Sequence, residues 1–205
     1  STIDSTLQTN ATAILESKLS EINAQSGQVI VMEVQSGQIK ALVGLTRKDS
    51  ANYQSCENFS VWQSTGLMHP ISLLAALETG KVKLSDKVDT GNGIYQIHGR
   101  ELKDHNWHRG GYGELTVQEG LAASSNIAIY KTMEKAFGDN PQTFFDLLTN
   151  MSYGKPDSIN GIASLQPYKI TEKNITWNCI GYEQLISPIQ VLTFYNAIAN
   201  NGKMI

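Results

Sequence analysis

Apolar residues between Leu7 and Ile22 recur every three or four positions (Leu7, Ala11, Ile14, Leu15, Leu19, Ile22), which predicts an amphipathic helix packed on a sheet. The period then changes. Gln28 to Val34 and Gln38 to Val43 are rich in Val and Ile, and Gln35-Ser36-Gly37 between them supplies the glycine of a tight antiparallel turn. Helix followed by hairpin predicts an α+β layer arrangement. A second helical pattern runs from Pro70 to Thr79, with proline in its first turn and Gly80 placed to close it. Thr116 and Glu119 form a capping-box pattern. Helices are predicted from Ser124 toward Phe137, ending at Gly138, and from Pro141 to Thr149. The last helix has Ser187 as N-cap and Pro188 at its first position, an apolar face of Ile189, Leu192, Tyr195 and Ala199, and Gly202 as its stop.

Between these helices, Thr90-Gly91-Asn92-Gly93 and Arg109-Gly110-Gly111-Tyr112-Gly113 show little periodicity, so irregular loops that position side chains are expected. With 205 residues, 40% of them hydrophobic and 17% charged, the chain suits one globular domain with room for a second small lobe. A formal charge of -3 with no Lys/Arg cluster excludes a nucleic-acid surface. No apolar string approaches the ~18 residues of a membrane span. The start, STIDSTLQ, lacks the basic and apolar stretches of a secretory signal, so the chain reads as an excised domain whose signal or anchor lies upstream. Cys56 and Cys179 fit neither metal-ligand nor C-x-x-C spacing and read as separate thiols, and His105 and His108 at i, i+3 lack further ligands. No metal or cofactor is expected. Trp107, Tyr112 and Trp177 read as packing anchors beside glycine loops rather than as ligand platforms.

The chemistry lies in Trp62 to Glu78, WQSTGLMHPISLLAALE, and in Leu121-Ala-Ala-Ser-Ser-Asn-Ile-Ala. The first segment resembles E-P-G-S-T-F-K-P-x-x-x-x-A-A-L-E of the penicillin-binding transpeptidases. There a nucleophilic serine opens a helix and a lysine one turn later takes its proton. Aligned through Pro70 and Ala75-Ala76-Leu77-Glu78, the serine position is Gly66 and the lysine position is His69. The second segment matches the S-x-N motif as Ser124-Ser125-Asn126. In the family its serine relays protons and its asparagine holds the substrate backbone. The third motif, K-[ST]-G, lies in the family beyond the segment that matches Phe194 to Met204, so it is expected past Ile205. A literal S-x-x-K at Ser152-Tyr153-Gly154-Lys155 is opposed as a helix by Gly154 and Pro156.

The resemblance runs in order through Thr2 to Gln8, the hairpin, the Gly66 helix, Asp89-Thr-Gly-Asn-Gly, Gly110-Gly-Tyr-Gly, Ser124-Ser-Asn, Ile180-Gly-Tyr and Phe194 to Met204. It is closest to the class B, division-type transpeptidases of Bacteroidetes flavour. It implies the penicillin-binding/serine β-lactamase-like fold: an antiparallel sheet of about five strands, only two evident here, flanked by helices, with a mostly helical second lobe. The sheet lobe would take residues 1–60 plus strands beyond the chain, and the helical lobe 61–205. The implied function is a peptidoglycan-directed domain in the periplasm, tethered to the inner membrane by an upstream segment. It would be catalytically inactive but keep a groove for a stem peptide, a cell-envelope protein or a non-covalently held β-lactam. The alternative is an active D,D-transpeptidase acylated at Thr65 or Ser64, residues whose ordinary role would be to cap the helix N-terminus.

Overall fold

The computed structural model describes residues 2–50, 52–56, 65–156, 158–159, 167–171 and 174–205. In chain order the elements are α1 (Ser5–Glu21), β1 (Ser26–Met32), β2 (Ile39–Arg47), β3 (Tyr53–Ser55), α2 (Met68–Glu78), β4 (Lys87–Asp89), β5 (Ile94–Ile97) and β6 (Arg100–Lys103). They continue with β7 (Glu114–Thr116), α3 (Val117–Ala122), α4 (Asn126–Phe137), α5 (Gln142–Asn150), β8 (Lys169–Ile170), α6 (Ile175–Asn178), β9 (Gln184–Leu185) and α7 (Pro188–Ala199). The class is α+β, and every strand pair is antiparallel.

Two compact units divide the chain, and they do not follow a single cut near residue 60. One holds residues 1–62, 153–168 and 186–205, the other 63–152 and 169–185. In the first, β1, β2 and β3 pair in that order, so a third strand joins the expected hairpin. It was invisible in sequence because Tyr53-Gln-Ser is too short to show alternation. The turn follows the prediction: Gly37 lies at φ 66° and its N–H bonds the Glu33 carbonyl at 2.9 Å.

Helix α1 lies on this sheet through Ala11, Leu15 and Leu19, which share a core with Ala41, Val43 and Leu45. Its buried stripe is narrower than the sequence pattern. Ile14 points about 100° away from Leu15 and is 68% exposed, and Leu7 and Ile22 near the two ends are also exposed. Gln8 binds β2 as a strand would, with its amide nitrogen on the Leu42 carbonyl and its oxygen on the Leu42 N–H, both at 2.8 Å.

Helix α7 starts with the predicted Ser187 cap and Pro188, and Gln190 completes a capping box. Of its predicted face only Ile189 is fully buried, however. Ile189, Gln190, Thr193, Phe194, Asn196 and Ala197 are buried, whereas Leu192 and Tyr195 are half-buried and Ala199 is exposed. The polar members are tolerated because each is bonded: Gln190 donates to the Pro156 carbonyl, Thr193 to Ile189 and Asn196 to Val34. Ser152 to Lys155 form a turn with Gly154 at φ 89°, as their sequence predicts.

The second unit is built around α2 and α4. Leu73 of α2 packs with Val88, Val117 and Ala128, and Gly120 lets α3 approach α4 closely, since a Cβ there would fall 2.5 Å from that of Ala128. The glycine-rich stretch expected to be irregular carries two short ladders, β4 with β7 and β5 with β6, and one 3₁₀ turn at Trp107–Arg109. Its crossing is tight: a Cβ on Gly111 would lie 2.3 Å from the Gly93 nitrogen.

Candidate active site

Gly66, His69, Ser124 and Asn126, separated by up to 60 positions, converge in the second unit. Residues Thr65–Leu67 form a 3₁₀ turn that leads into α2, so His69 sits in the first turn of the helix and points inward, 2% exposed. Gly66 is exposed, and a Cβ built on it would lie 3.3 Å from Ser124 Oγ. The serine position of the first motif therefore faces the serine of the second.

The loop between α3 and α4 is held from below by Asp104. Buried completely, its carboxylate accepts from Ser125 Oγ at 2.8 Å and from the Ile127 N–H at 3.1 Å. Ser125 in turn caps α4 by accepting from the Ala128 N–H. With those groups fixed, Ser124 is left as an exposed residue at φ 51°, a conformation that costs a non-glycine residue about 1 kcal/mol. Burial pushes the Asp104 carboxyl above the usual carboxylate range despite the bonds that favour its charge.

The hydrogen bonds of Asn126 fix the His69 tautomer. The Lys103 carbonyl can only accept, so the contact at 2.9 Å places the amide nitrogen of Asn126 there and turns Oδ1 toward His69. That oxygen also only accepts, so His69 Nε2, 3.1 Å away, carries the proton. Nδ1 is then bare and accepts from Ser124 Oγ at 3.2 Å. Burial lowers the imidazole pKa from 6.5 to about 4, the Asn126 hydrogen bond opposing only in part, so the ring is neutral near neutral pH.

The other named residues take lesser places. Thr65 is exposed at φ 42°, its side chain bonds no described residue, and α2 has no side-chain cap, so the expected capping by Thr65 does not occur. Ser64 lies outside the described residues. Trp107 stacks under Lys103 Nζ at 4.7 Å, and Trp177 lies under the Arg100 guanidinium at 4.0 Å. Tyr112 contacts His105 and the Ala123 carbonyl through its hydroxyl, which ties the glycine loop to the residue before Ser124. Cys179 is a buried free thiol and Cys56 a half-buried one. Among the described residues no group of three His, Cys, Asp or Glu side chains could hold a metal, and no helix is long and apolar enough to cross a membrane.

Two supports escaped the sequence reading. Asp104, in Lys-Asp-His-Asn, resembles an exposed turn residue, and only its bonds to Ser125 and Ile127 identify it. Gly181 stands in sequence only as the middle of Ile180-Gly-Tyr. A Cβ there would lie 2.3 Å from both the nitrogen and the oxygen of Thr65, so the glycine allows the backbone to support the 3₁₀ turn.

Known proteins of the same fold and family match this chain. The chain is 23% identical to the peptidoglycan D,D-transpeptidase FtsI of Escherichia coli K12 over 98% of its own length and 35% of the relative's. It is 25% identical to the probable peptidoglycan D,D-transpeptidase PbpC of Pseudomonas aeruginosa over 99% and 37%. The chain thus spans about a third of the curated relatives it matches. A crystal structure of a peptidoglycan glycosyltransferase from Burkholderia ambifaria superposes with a TM-score of 0.82 at 25% identity, covering 100% of this chain and 62% of the other. The transpeptidase domain of Burkholderia pseudomallei penicillin-binding protein 3 gives 0.81 at 23% identity, covering 99% and 59%, which shows the shared fold. The description "Penicillin binding protein transpeptidase domain" matches residues 27–205, and the chain belongs to that family.

Proposed function

We propose that this domain binds peptidoglycan stem peptides in the periplasm and no longer cross-links them from the α2 turn. One observation carries the reading: the position that faces Ser124 Oγ at the head of α2 is Gly66, which has no side chain to acylate. The base position is altered as well, because His69 is buried, neutral and bonded on both sides. A peptide amide is too poor an acyl donor for a site without an activated nucleophile. What supports binding is the rigid second motif. Asn126 uses one amide N–H on Lys103 and keeps the other for a substrate carbonyl.

The two-lobe division, membrane tethering and a role in cell division belong to the same proposal. The alternative nucleophile Thr65 has no base on its side chain among the described residues.

The test is calorimetric titration of a stem pentapeptide ending in D-Ala-D-Ala into the folded protein, with released D-alanine assayed in parallel. Saturable binding without release is expected, and Asn126→Ala should weaken it about tenfold, the worth of one hydrogen bond. Release of D-alanine with an acyl group on Thr65 or Ser64 would establish the enzyme instead, and absence of binding would remove the groove.

A further inference from the structure

The hydrogen bonds at the site form a nucleophile-base-orienter sequence that the family motifs do not contain. We propose that Ser124 is a latent nucleophile, acylated slowly by strained acyl donors of the β-lactam class, with His69 as its general base and Asn126 orienting the imidazole. The inference rests on the reading of this groove as one that takes acyl donors.

Three independent features support it. Ser124 Oγ, His69 Nδ1, His69 Nε2 and Asn126 Oδ1 follow one another at 3.2 and 3.1 Å, with the protons directed so that the serine donates to a bare nitrogen. Ser124 is an exposed residue while the imidazole behind it is buried, so a donor approaches from the serine side and not from that of the base. Finally, Gly66 leaves open the space beside Ser124 Oγ, where a Cβ would already stand at 3.3 Å.

The step balances without a co-reactant. Ser124 Oγ bonds to the lactam carbonyl carbon as its proton passes to His69 Nδ1. The lactam C–N bond then breaks and His69 returns the proton to the departing nitrogen. The product is an ester on Ser124 that carries the whole mass of the β-lactam. A neutral imidazole of low basicity is available near neutral pH but drives proton transfer weakly, which is why ring strain in the donor is required.

The test is intact-mass spectrometry of the folded protein during prolonged incubation with a reporter penicillin, followed by peptide mapping. One slow adduct on Ser124 is expected, with a rate that rises through about pH 4 and is flat through neutrality. Ser124→Gly should abolish it. Since glycine suits φ 51°, that variant keeps its fold, which its melting temperature verifies. His69→Gln, which retains a polar contact, should slow the reaction about a hundredfold. An adduct on any other residue, an unchanged rate in Ser124→Gly, or no adduct from folded protein would each overturn the proposal. Stem-peptide titration is read separately: binding without the adduct removes only the nucleophile, and the adduct without binding removes only the peptide groove.

Discussion

The two halves of the site differ in how they are held. The loop from Ser124 to Asn126 is over-determined, its three side chains bonded to Asp104, Lys103, His69 and the start of α4 with one Asn126 N–H left over. Helix α2 has no side-chain cap at Leu67, and among the described residues the turn at Thr65–Leu67 that leads into it rests on backbone packing against Gly181. A frame made of many mutual bonds tolerates the loss of any one chemical group, whereas acylation at the turn depends on a single hydroxyl. The site can therefore keep its shape without its chemistry.

The comparison is broken most severely at Gly181. Alanine there meets the Thr65 backbone and is strained at φ 90°, so Gly181→Ala should cost about 3–5 kcal/mol in urea unfolding and shift the turn. A loss below 1 kcal/mol would show that the turn does not rest on this glycine.

Next in size is the buried imidazole. Its pKa is lower folded than unfolded, so between about 6.5 and about 4 the unfolded chain binds the extra proton. Stability is complete above that window and falls by about 3 kcal/mol as the pH drops through it, at 1.36 kcal/mol per tenfold change in protonation. Unfolding of wild type and His69→Gln at neutral and acid pH measures this term. The variant should lose less on acidification, and equal losses would place the imidazole in solvent.

Asp104 comes third. Asp104→Ala leaves Ser125 Oγ and the Ile127 N–H without their acceptor and should cost about 2–3 kcal/mol, offset in part because the carboxylate is itself poorly solvated. Asp104→Asn keeps one acceptor and should cost about half as much. If alanine proves harmless, the loop is held by something other than this carboxylate.

These positions also mark what the sequence made legible. The capping box at Thr116, the N-cap at Ser187 and the meeting of Gly66, His69, Ser124 and Asn126 were readable, because each follows from local spacing or from a motif with fixed roles. Asp104 and Gly181 were not. Their importance lies in contacts 21 and 116 positions away in sequence, to Ser125 and Thr65, which no local pattern encodes. The face of α7 was misread for a related reason: Gln190, Thr193 and Asn196 are buried because distant or local carbonyls satisfy them, and hydropathy treats them as surface residues.

The smallest predicted effect separates the halves most directly. Gly66→Ala adds a methyl group 3.3 Å from Ser124 Oγ, closer than such contacts usually are, so the hydroxyl must move by a few tenths of an ångström. The hydroxyl is the end of a side chain and can move, and alanine restricts the unfolded chain more than glycine, so the net change in stability should stay within about 0.5 kcal/mol. The hydrogen bond to His69 Nδ1 should nevertheless lengthen, which the ¹⁵N shift of that nitrogen reports. A shifted signal at unchanged stability would show that the open space at position 66 is what lets Ser124 and His69 meet. An unshifted signal would mean that the loop holds the pair without regard to the turn, and that the two halves of the site are independent.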